Sequence, residues 1–383
     1  MKVFVLVRDL DVGGTQRQAV CTANELAKCG IEVDLVTFYH VQTNQPFDLD
    51  EGVRHISLSK RGRWDLGRFF ARLVTVLAES NPDVIYSFLD GSNLVAALVL
   101  VGCRRQRRSS KLIWGIRSGY LDWRSYDLTA RLANRMIYWL ANMPDLVIFN
   151  SYAGEKYYLD NGFECKQAMV IPNGIDTTVF FPNGVARENI RSVLGIKKDE
   201  ILVGAVGRLD EIKDFDVFLS VAVRLVDLDK RYTFVLIGSG TPSQESVVTK
   251  SIEKKRLRAH VQRIPETNAI ADYFNAMDVY CSCSRGEGFP NTVAEAMACG
   301  VPCVVTKAGD SEIIIGDTGV AVDPGDDEAL MRGVVRMTEV RTSNDQISVS
   351  IRHRITSRYS LSQLQKLTVR TIQQIDMNVA GSD

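Results

Sequence analysis

The sequence predicts an α/β protein that contains two doubly wound parallel sheets. Through the first half of the chain, short runs rich in Val, Ile and Leu alternate with segments of helix length, a pattern typical of a parallel sheet covered by helices on both faces. The alternation stops at 171–182, IPNGIDTTVFFP, and then starts again. With 383 residues, the chain is long enough for two domains that each have a full core.

The first half has five candidate strands. Each is an apolar run without Pro, followed by a longer segment that suits a helix. The runs are Val3–Val7, Val33–Phe38, Val84–Phe88, Leu112–Ile116 and Leu146–Phe149. In such a sheet, ligands bind at the carboxyl ends of the strands.

A glycine pair, Gly13-Gly14, separates the first predicted strand from a helix. The third glycine of a dinucleotide-binding fingerprint is missing, and Asp34 lies inside the second predicted strand rather than after it. We therefore do not expect NAD binding. The helix that follows has small and apolar residues on one face, at Ala19, Ala23, Leu26 and Ala27.

The segment 171–182 is predicted to connect the two domains. Pro172 and Pro182 fix the backbone at its ends, and Asn173-Gly174 forms a turn. We expect one domain at 1–172 and a second at 183–358. The strands predicted in the second domain are Ile201–Val206, Phe234–Ile237, Ala276–Cys283 and Pro302–Val305.

The strongest chemical signal is the stretch Arg285–Gly300, RGEGFPNTVAEAMACG. Glu287 and Glu295, with seven residues between them, bracket the start of a helix predicted at Thr292–Cys299. Gly300 is expected to end that helix. Both carboxylates are expected to face one polar ligand, Glu287 towards one set of hydroxyls and Glu295 towards a second set such as a ribose.

The turn before this helix suits an anion. Gly286 and Gly288 allow the backbone to pass close to a ligand. The first N–H groups of a helix have no partner within it and lie at the positive end of its dipole. We therefore expect a phosphate or sugar oxygen to bind at the N–H groups of Asn291 and Thr292.

The segment EGFPNTVAEAMACGVPCV, with its two glutamates at this spacing, resembles the motif of the retaining glycosyltransferases of family four, group 1. The resemblance implies the GT-B fold, in which two Rossmann-like domains face each other across a cleft. It implies that Glu287 contacts the transferred sugar and that Glu295 binds the ribose of the donor. The backbone between them is implied to bind the sugar and the distal phosphate, through Gly288, Phe289, Pro290, Asn291 and Thr292.

The same resemblance implies roles for residues in other segments. The backbone of Gly14 is implied to make a contact near the diphosphate of the donor. Arg208 and Lys213, in GRLDEIKDF, are expected to bind the diphosphate, because its two charges suit two cations. The backbone of Arg263 and Ile264, in RIPET, is placed beside the base of the nucleotide. Together with Glu287, Arg208 and Lys213 are the expected catalytic residues.

The predicted reaction is transfer of a sugar from a nucleotide diphosphate sugar, with UDP as the expected nucleotide, by a retaining, metal-independent hexosyltransferase. No pair of carboxylates typical of a retaining glycosidase is apparent, so we expect a diphosphate oxygen to accept the proton of the acceptor. Asp-x-Asp triplets at 9–11, 48–50 and 214–216 are interpreted as chance. A metal-dependent transferase and a sugar-nucleotide hydrolase or epimerase are the alternatives.

The acceptor is expected to be a saccharide or a polyprenyl-diphosphate-linked saccharide of a bacterial surface glycan, with a soluble small molecule as the alternative. Arg117 stands where the family often has a histidine, and it is expected either to bind a phosphate of the acceptor or to pair with Asp122. Two basic stretches, Lys60–Leu73 and Arg104–Lys111, are interpreted either as solvated surface or as a contact with anionic lipid.

Composition limits the class of protein. Lys plus Arg and Asp plus Glu are equal at 46 each, so nucleic acid is not an expected partner. The start MKVFVLVRDL has no export signal, and no apolar run is long enough to span a bilayer. We therefore expect a cytoplasmic enzyme without cofactor or metal, peripheral on the inner membrane face if it contacts the membrane at all.

Two further expectations concern packing. The eight cysteines are interpreted as reduced, and the four at Cys281, Cys283, Cys299 and Cys303 as small buried hydrophobes rather than zinc ligands. The C-terminal segment, at about 360–383, is amphipathic, and the resemblance implies that it packs back onto the first domain. Its predicted apolar face contains Leu361, Leu364, Leu367, Val369 and Ile372.

Overall fold

The computed structural model describes residues 1–10, 14–40, 48–62, 64–117, 119, 128–344 and 346–380. The chain forms two compact units. The first comprises Met1–Gly174 with Leu361–Asp383, and the second comprises Ile175–Ser360. The boundary between Gly174 and Ile175 lies inside the Pro-bounded segment 171–182, so most of the predicted connection belongs to the second unit.

The first unit contains a seven-stranded parallel sheet. Its strands are β1 (Lys2–Val7), β2 (Glu32–Thr37), β3 (Val53–Ser57), β4 (Val84–Phe88), β5 (Lys111–Ile116), β6 (Leu146–Phe149) and β7 (Ala168–Val170), in the order β3-β2-β1-β4-β5-β6-β7. Its helices are α1 (Gly14–Lys28), α2 (Leu66–Ser80), α3 (Asp90–Gly102), α4 (Arg104–Ser109), α5 (Leu128–Trp139), α6 (Tyr152–Asp160) and a C-terminal helix (Leu361–Ala380).

Burial explains which strands of this sheet the sequence predicts. All five predicted runs form strands, and β4 and β6 are buried along their whole length, as expected for strands covered on both faces. The two edge strands, β3 and β7, are mostly exposed or half-buried. Their residues therefore do not form the continuous apolar run on which the prediction depended.

The C-terminal helix packs against α1 within the first unit. Leu364 and Ile372 on this helix are buried in the core, but Leu367 is 39% exposed and does not belong to the apolar face predicted for it. The helix also explains Gly174. A Cβ atom at that position would lie 2.9 Å from side-chain atoms of Leu361 and Leu364.

The second unit contains a six-stranded parallel sheet. Its strands are β8 (Ile201–Val206), β9 (Tyr232–Ile237), β10 (Val261–Ile264), β11 (Val279–Ser282), β12 (Cys303–Thr306) and β13 (Val320–Val322), in the order β10-β9-β8-β11-β12-β13. Its helices are α7 (Gly184–Val193), α8 (Phe215–Leu228), α9 (Pro242–Lys254), α10 (Ile270–Ala276), α11 (Asn291–Ala298), α12 (Ser311–Ile315), α13 (Asp327–Ser343) and α14 (Ile347–Arg358).

One strand prediction in this unit is too long. The predicted strand Ala276–Cys283 begins inside α10, which ends at Ala276, and β11 covers only Val279–Ser282. Ala276 and Met277 are fully buried. The helix end and the strand are both apolar, but Asp278 stands between them in the sequence and was the signal that the strand starts later.

Candidate functional site

The predicted donor site lies at the carboxyl edge of the second sheet. Strand β8 lies between β9 and β11, so the order of strands reverses there. In open α/β sheets such a reversal leaves a crevice in which ligands bind. The loop after β8 carries Arg208 and Lys213, and the loop after β11 carries Glu287. The two predicted loops are therefore neighbours.

The loop after β8 forms a one-turn 3₁₀ helix at Glu211–Lys213. Its start is fixed by Asp210, whose Oδ1 accepts a hydrogen bond from the N–H of Lys213 at 3.2 Å. Asp210 also forms an ion pair with Arg208, with 3.0 Å between Oδ2 and Nη2. The Arg208 side chain is 81% exposed, so its guanidinium group is accessible to an anionic ligand.

Lys213 and Glu287 contact each other directly. The Lys213 Nζ atom lies 2.5 Å from Glu287 Oε1, and Ser284 Oγ donates a hydrogen bond to the same oxygen at 2.7 Å. No residue in the described part of the chain hydrogen-bonds to Glu287 Oε2. One carboxylate oxygen is thus held by two donors, and the other is left for a ligand.

The lysine stem packs against Gly207. A Cβ atom at Gly207 would lie 3.3 Å from three carbons of the Lys213 side chain. Gly207 is in turn close to Gly238, which follows β9 and has φ of 140°. A Cβ atom at Gly238 would lie 1.9 Å from the Gly207 carbonyl oxygen. The two glycines therefore allow the loops after β8 and β9 to meet.

Helix α11 begins close to its predicted start, and Gly300 follows it with φ of 75°. The Tyr280 hydroxyl on β11 lies 2.8 Å from Thr292 Oγ1. Burial raises the pKa of Tyr280 well above its usual value, although the hydrogen bond with Thr292 opposes this effect. A protonated tyrosine therefore anchors the first turn of α11. Glu295, one turn further along, is 8% exposed.

A loop that the sequence analysis missed supports Glu287 from the other side. It follows β12 and contains Gly309, whose φ is 57°. A Cβ atom at Gly309 would lie 2.4 Å from Gly288 O and 2.6 Å from Glu287 O, and the N–H of Asp310 donates to Gly288 O at 3.0 Å. A glycine three residues after the end of a central strand was the signal that could have identified it.

The Arg263 side chain is occupied by other parts of the protein. Its guanidinium group donates to the carbonyl oxygens of Leu236 and Gly238 at 3.2 and 3.1 Å and to Glu245 Oε2 at 2.9 Å. The Ile264 carbonyl accepts the N–H of Gly238 at 3.0 Å. These bonds hold the end of β10 against β9, where the backbone was expected to meet the base.

In the first unit, α1 begins at Gly14. Arg117 follows β5 and is fixed by three contacts: Nη1 donates to Asn173 Oδ1 at 2.9 Å, Nη2 donates to Tyr86 OH at 3.1 Å, and the guanidinium carbon lies 4.8 Å from the centre of the Phe88 ring. Its Nε is buried without a partner. The alternative partner, Asp122, lies outside the described residues.

The basic stretch Lys60–Leu73 is partly structural. Phe69 is buried in the core, and Lys60 Nζ lies 5.5 Å from the centre of its ring. Trp64 is 84% exposed. In the second stretch, Arg107 is exposed, whereas the side chains of Arg104, Arg105 and Arg108 lie outside those described. Among the described helices, none is both long and apolar enough to cross a membrane.

The four cysteines considered as zinc ligands are all buried, as predicted. The Sγ atoms of Cys281 and Cys283 are 3.7 Å apart, and Cys303 Sγ donates to the Val301 carbonyl at 3.4 Å. Burial raises the pKa of the Cys299 thiol to about 12. In the parts of the chain described, no cluster of three His, Cys, Asp or Glu side chains could hold a metal ion.

Two family models match the chain. The model described as Glycosyltransferase Family 4 matches residues 12–179, and the model described as Glycosyl transferases group 1 matches residues 200–339. The first match covers most of the first unit, and the second contains Arg208, Lys213, Glu287 and Glu295.

Curated relatives carry related names. The Bacillus subtilis protein EpsF, named as a glycosyltransferase, is 24% identical over 82% of this chain and 81% of its own length. The lipopolysaccharide core biosynthesis mannosyltransferase LpsB of Rhizobium meliloti is 30% identical over 42% of this chain and 48% of its own. A UDP-Gal:alpha-D-GlcNAc-diphosphoundecaprenol alpha-1,3-galactosyltransferase of Escherichia coli is 27% identical over 50% of each chain.

Solved structures share the fold. HepE of Anabaena in complex with UDP superposes with a TM-score of 0.82 at 19% identity, covering 98% of this chain and 100% of HepE. Sucrose-phosphate synthase of Thermosynechococcus elongatus superposes with a TM-score of 0.81 at 20% identity, covering 98% of both chains. The family matches, the relatives and this fold lead to one conclusion: the chain belongs to the group 1, family 4 glycosyltransferases and has the GT-B fold.

Proposed function

We propose that the protein is a retaining hexosyltransferase that transfers a sugar from a UDP-sugar to a saccharide or a polyprenyl-diphosphate-linked saccharide during assembly of a surface glycan. The observation that supports this most is the contact between Lys213 and Glu287, 2.5 Å apart, at the carboxyl edge of the second sheet. A cation for a phosphate and a carboxylate for sugar hydroxyls meet there, beside the N-terminus of α11.

Each group has a proposed task in donor binding. Arg208 and Lys213 bind the diphosphate, because charge-assisted hydrogen bonds to an anion are the strongest that side chains make. The backbone from Gly288 to Thr292 binds the distal phosphate and the sugar at the start of α11. Glu287 Oε2 accepts hydrogen bonds from sugar hydroxyls, and Glu295 binds the ribose.

The arrangement favours a reaction without a covalent intermediate on Glu287. Neither oxygen of Glu287 acts as a nucleophile in this proposal, because Oε1 is held by Lys213 and Ser284 and Oε2 accepts hydrogen bonds from the sugar hydroxyls. We propose instead that the cations and the α11 N-terminus stabilise the diphosphate as it leaves. One of its oxygens then takes the proton from the acceptor hydroxyl on the same face, which retains the configuration of the anomeric carbon.

The proposed acceptor rests on two observations. The relatives from Rhizobium meliloti and Escherichia coli are named for lipopolysaccharide core and for a diphosphoundecaprenol-linked sugar. In the first unit, Arg117 is a fixed cation at the carboxyl end of β5, and its planar guanidinium group suits a phosphate of such an acceptor. The protein would then act in the cytoplasm, at the inner face of the membrane, with no cofactor or metal besides the donor.

The donor can be tested by thermal shift with UDP-, GDP- and ADP-sugars. A ligand that binds the native state raises the melting temperature according to the logarithm of its concentration over Kd. We expect a shift with UDP and a larger one with one UDP-sugar. If GDP- or ADP-sugars alone stabilise the protein, UDP is the wrong nucleotide. If none does, the donor site is wrong.

The reaction class needs a second measurement. With the stabilising donor, transfer should require an acceptor, and NMR of the product should show the anomeric configuration of the donor sugar. UDP release at the same rate without acceptor would favour a hydrolase. A changed sugar still bound to UDP would favour an epimerase, and an inverted product would contradict retention.

A further inference from the structure

We propose that Asp214 and Arg285 form a positioning pair that holds Lys213 beside Glu287. The proposal rests on the function proposed for Lys213 in the donor site. Neither residue is expected to touch the donor. Their task is to fix the loop after β8 to the loop after β11, so that the ammonium group and the carboxylate meet.

The first observation is the backbone of Asp214. Directly after Lys213, Asp214 has φ of 49° and ψ of 50°, in the left-handed region. Glycine adopts this conformation without strain, whereas other L-residues are strained there, and Asp is one of the few that tolerate it. Glycine would adopt this backbone without that strain, so the contacts of the Asp214 side chain have to offset it.

The second observation is where that carboxylate lies. Asp214 precedes α8 but makes no side-chain bond to cap the helix. Its side chain is only 5% exposed, and Oδ2 accepts a hydrogen bond from Arg285 Nε at 2.6 Å. A buried carboxylate without a partner would be costly. The side chain is thus committed to Arg285.

The third observation is that Arg285 holds the chain on both sides of Lys213. Its backbone N–H donates to the carbonyl of Ile212 at 2.7 Å, and its side chain binds Asp214. Ile212 and Asp214 are the two neighbours of Lys213 in the sequence. Arg285 itself lies between Ser284 and the turn that carries Glu287. The pair therefore links the position of the lysine to that of the glutamate.

The decisive variant is Asp214→Gly, because glycine suits the left-handed backbone. We expect it to keep or raise the melting temperature while kcat/KM falls at least tenfold, so that stability and activity change in opposite directions. Arg285→Ala should lower kcat/KM to a similar extent. In the Asp214→Gly background, Arg285→Ala should have little further effect, because its partner is already absent.

A double-mutant cycle with Lys213→Ala distinguishes an effect that acts through Lys213 from a general loss of structure. If the pair acts through the lysine, Asp214→Gly changes kcat/KM by less than twofold once the lysine is gone. A matched control is Arg224→Ala, which removes another ion pair of this unit, 2.9 Å between Arg224 Nε and Asp327 Oδ2 on the surface. This variant should keep the kcat/KM of the unaltered protein.

A readout without substrate tests the pair even if the proposed function fails. Limited acetylation followed by mass spectrometry measures how accessible the Lys213 amine is in the full chain, and Asp214→Gly should increase its modification several-fold relative to Lys250. Unchanged labelling of Lys213 overturns the inference, and so does full activity of Asp214→Gly. An equal loss of kcat/KM from Asp214→Gly with and without Lys213 overturns it as well. A protein that neither binds nor transfers from nucleotide sugars, yet shows the labelling change, would refute the proposed function and keep the pair.

Discussion

Lys213 Nζ and Glu287 Oε1 are 2.5 Å apart, although the residues are separated by 74 positions in the sequence. The group proposed to bind the leaving diphosphate is therefore bonded to the group proposed to bind the sugar. A donor that places its phosphate near the ammonium group has to share this lysine with the carboxylate. The contact couples the two halves of donor binding.

We expect Lys213→Ala to reduce kcat/KM by at least a hundredfold and to lower the melting temperature only by what its ion pair with Glu287 contributes, because it removes charge-assisted bonds to the diphosphate and no side chain of the core. Arg208→Ala should also reduce kcat/KM severely. Because the Arg208 side chain is 81% exposed, removing it should leave the fold intact. Steady-state kinetics and thermal unfolding of both variants provide the check. Full turnover in either would remove that residue from the phosphate site.

Glu295→Ala should weaken donor binding more than it slows turnover, because the ribose is proposed to bind its carboxylate. Glu295 is 8% exposed, so Glu295→Gln is needed as a variant of the same shape. Calorimetric titration with UDP should show weaker binding for both. Affinity equal to that of the original protein would show that the ribose assignment is wrong.

The sequence predicted the central elements because burial marks them. Strand β8 was predicted with its observed bounds, and it is largely buried. The contact of Lys213 with Glu287 was not predictable, since pattern and spacing give the elements but not which loops meet. Ser284 was missed although it stands three residues before Glu287, because nothing in the pattern shows that its hydroxyl binds the carboxylate. The left-handed backbone at Asp214 was hidden for a similar reason, since Asp is compatible with several backbone conformations.

Asp278 is expected to be a main support of the second unit. Its carboxylate accepts bonds from Arg187 Nη2 at 2.6 Å, Arg191 Nη1 at 2.9 Å and the N–H of Leu202 at 2.8 Å. Asp278→Asn should lower the free energy of unfolding by about 3 kcal/mol, because two partly buried arginines lose their counter-charge. Denaturant unfolding of the two proteins at pH 7 measures this difference.

The effect of Asp278 should depend on pH. Burial alone would raise its pKa, but the nearby charges of Arg187 and Arg341 and the other bonds more than offset this, and the pKa lies below its usual value. The charged carboxylate therefore stabilises the fold above about pH 4, and this contribution is lost as the pH falls through the lower folded-state pKa. The difference between the two proteins should shrink below pH 4. A constant difference would contradict the assignment.

Asp90 should have the opposite effect on stability. Burial raises the pKa of Asp90 to about 6, against a hydrogen bond from Tyr158, and its Oδ1 is buried without a partner. Between about pH 4 and pH 6 the folded state retains a proton that the unfolded state has lost, so the free energy of unfolding falls as the pH rises. Above pH 6 the loss is complete, and two pKa units correspond to about 3 kcal/mol.

Asp90→Asn removes the charge and keeps the shape. We expect it to raise the melting temperature at pH 7.5 and to match the original protein at pH 4, where both side chains are neutral in the folded state. Thermal unfolding across this range measures the crossover. A variant that is less stable at pH 7.5 would show that the ionised carboxylate has a favourable partner at that pH.

The membrane contact proposed for the acceptor is the last expectation that needs a test. Helix α4, Arg104–Ser109, contains Arg104, Arg105, Arg107 and Arg108. Near an anionic bilayer, each basic residue contributes about 1 kcal/mol of attraction. Changing the four arginines to Gln should therefore strongly reduce co-sedimentation with vesicles that contain anionic lipid and slow transfer to a lipid-linked acceptor. Affinity for the donor nucleotide should stay the same.

The control removes the same charge from another surface. Four basic residues in the C-terminal part of α9 or just after it are exposed, and changing them to Gln alters the net charge equally: Lys250, Lys254, Arg256 and Arg258. If α4 is the contact, this control sediments with anionic vesicles nearly as well as the original protein. High salt should release the control and the original protein from the vesicles, since the Debye length is about 3 Å at 1 M. Equal sedimentation of the α4 variant and the original protein would contradict the membrane contact, and a soluble acceptor would then fit better.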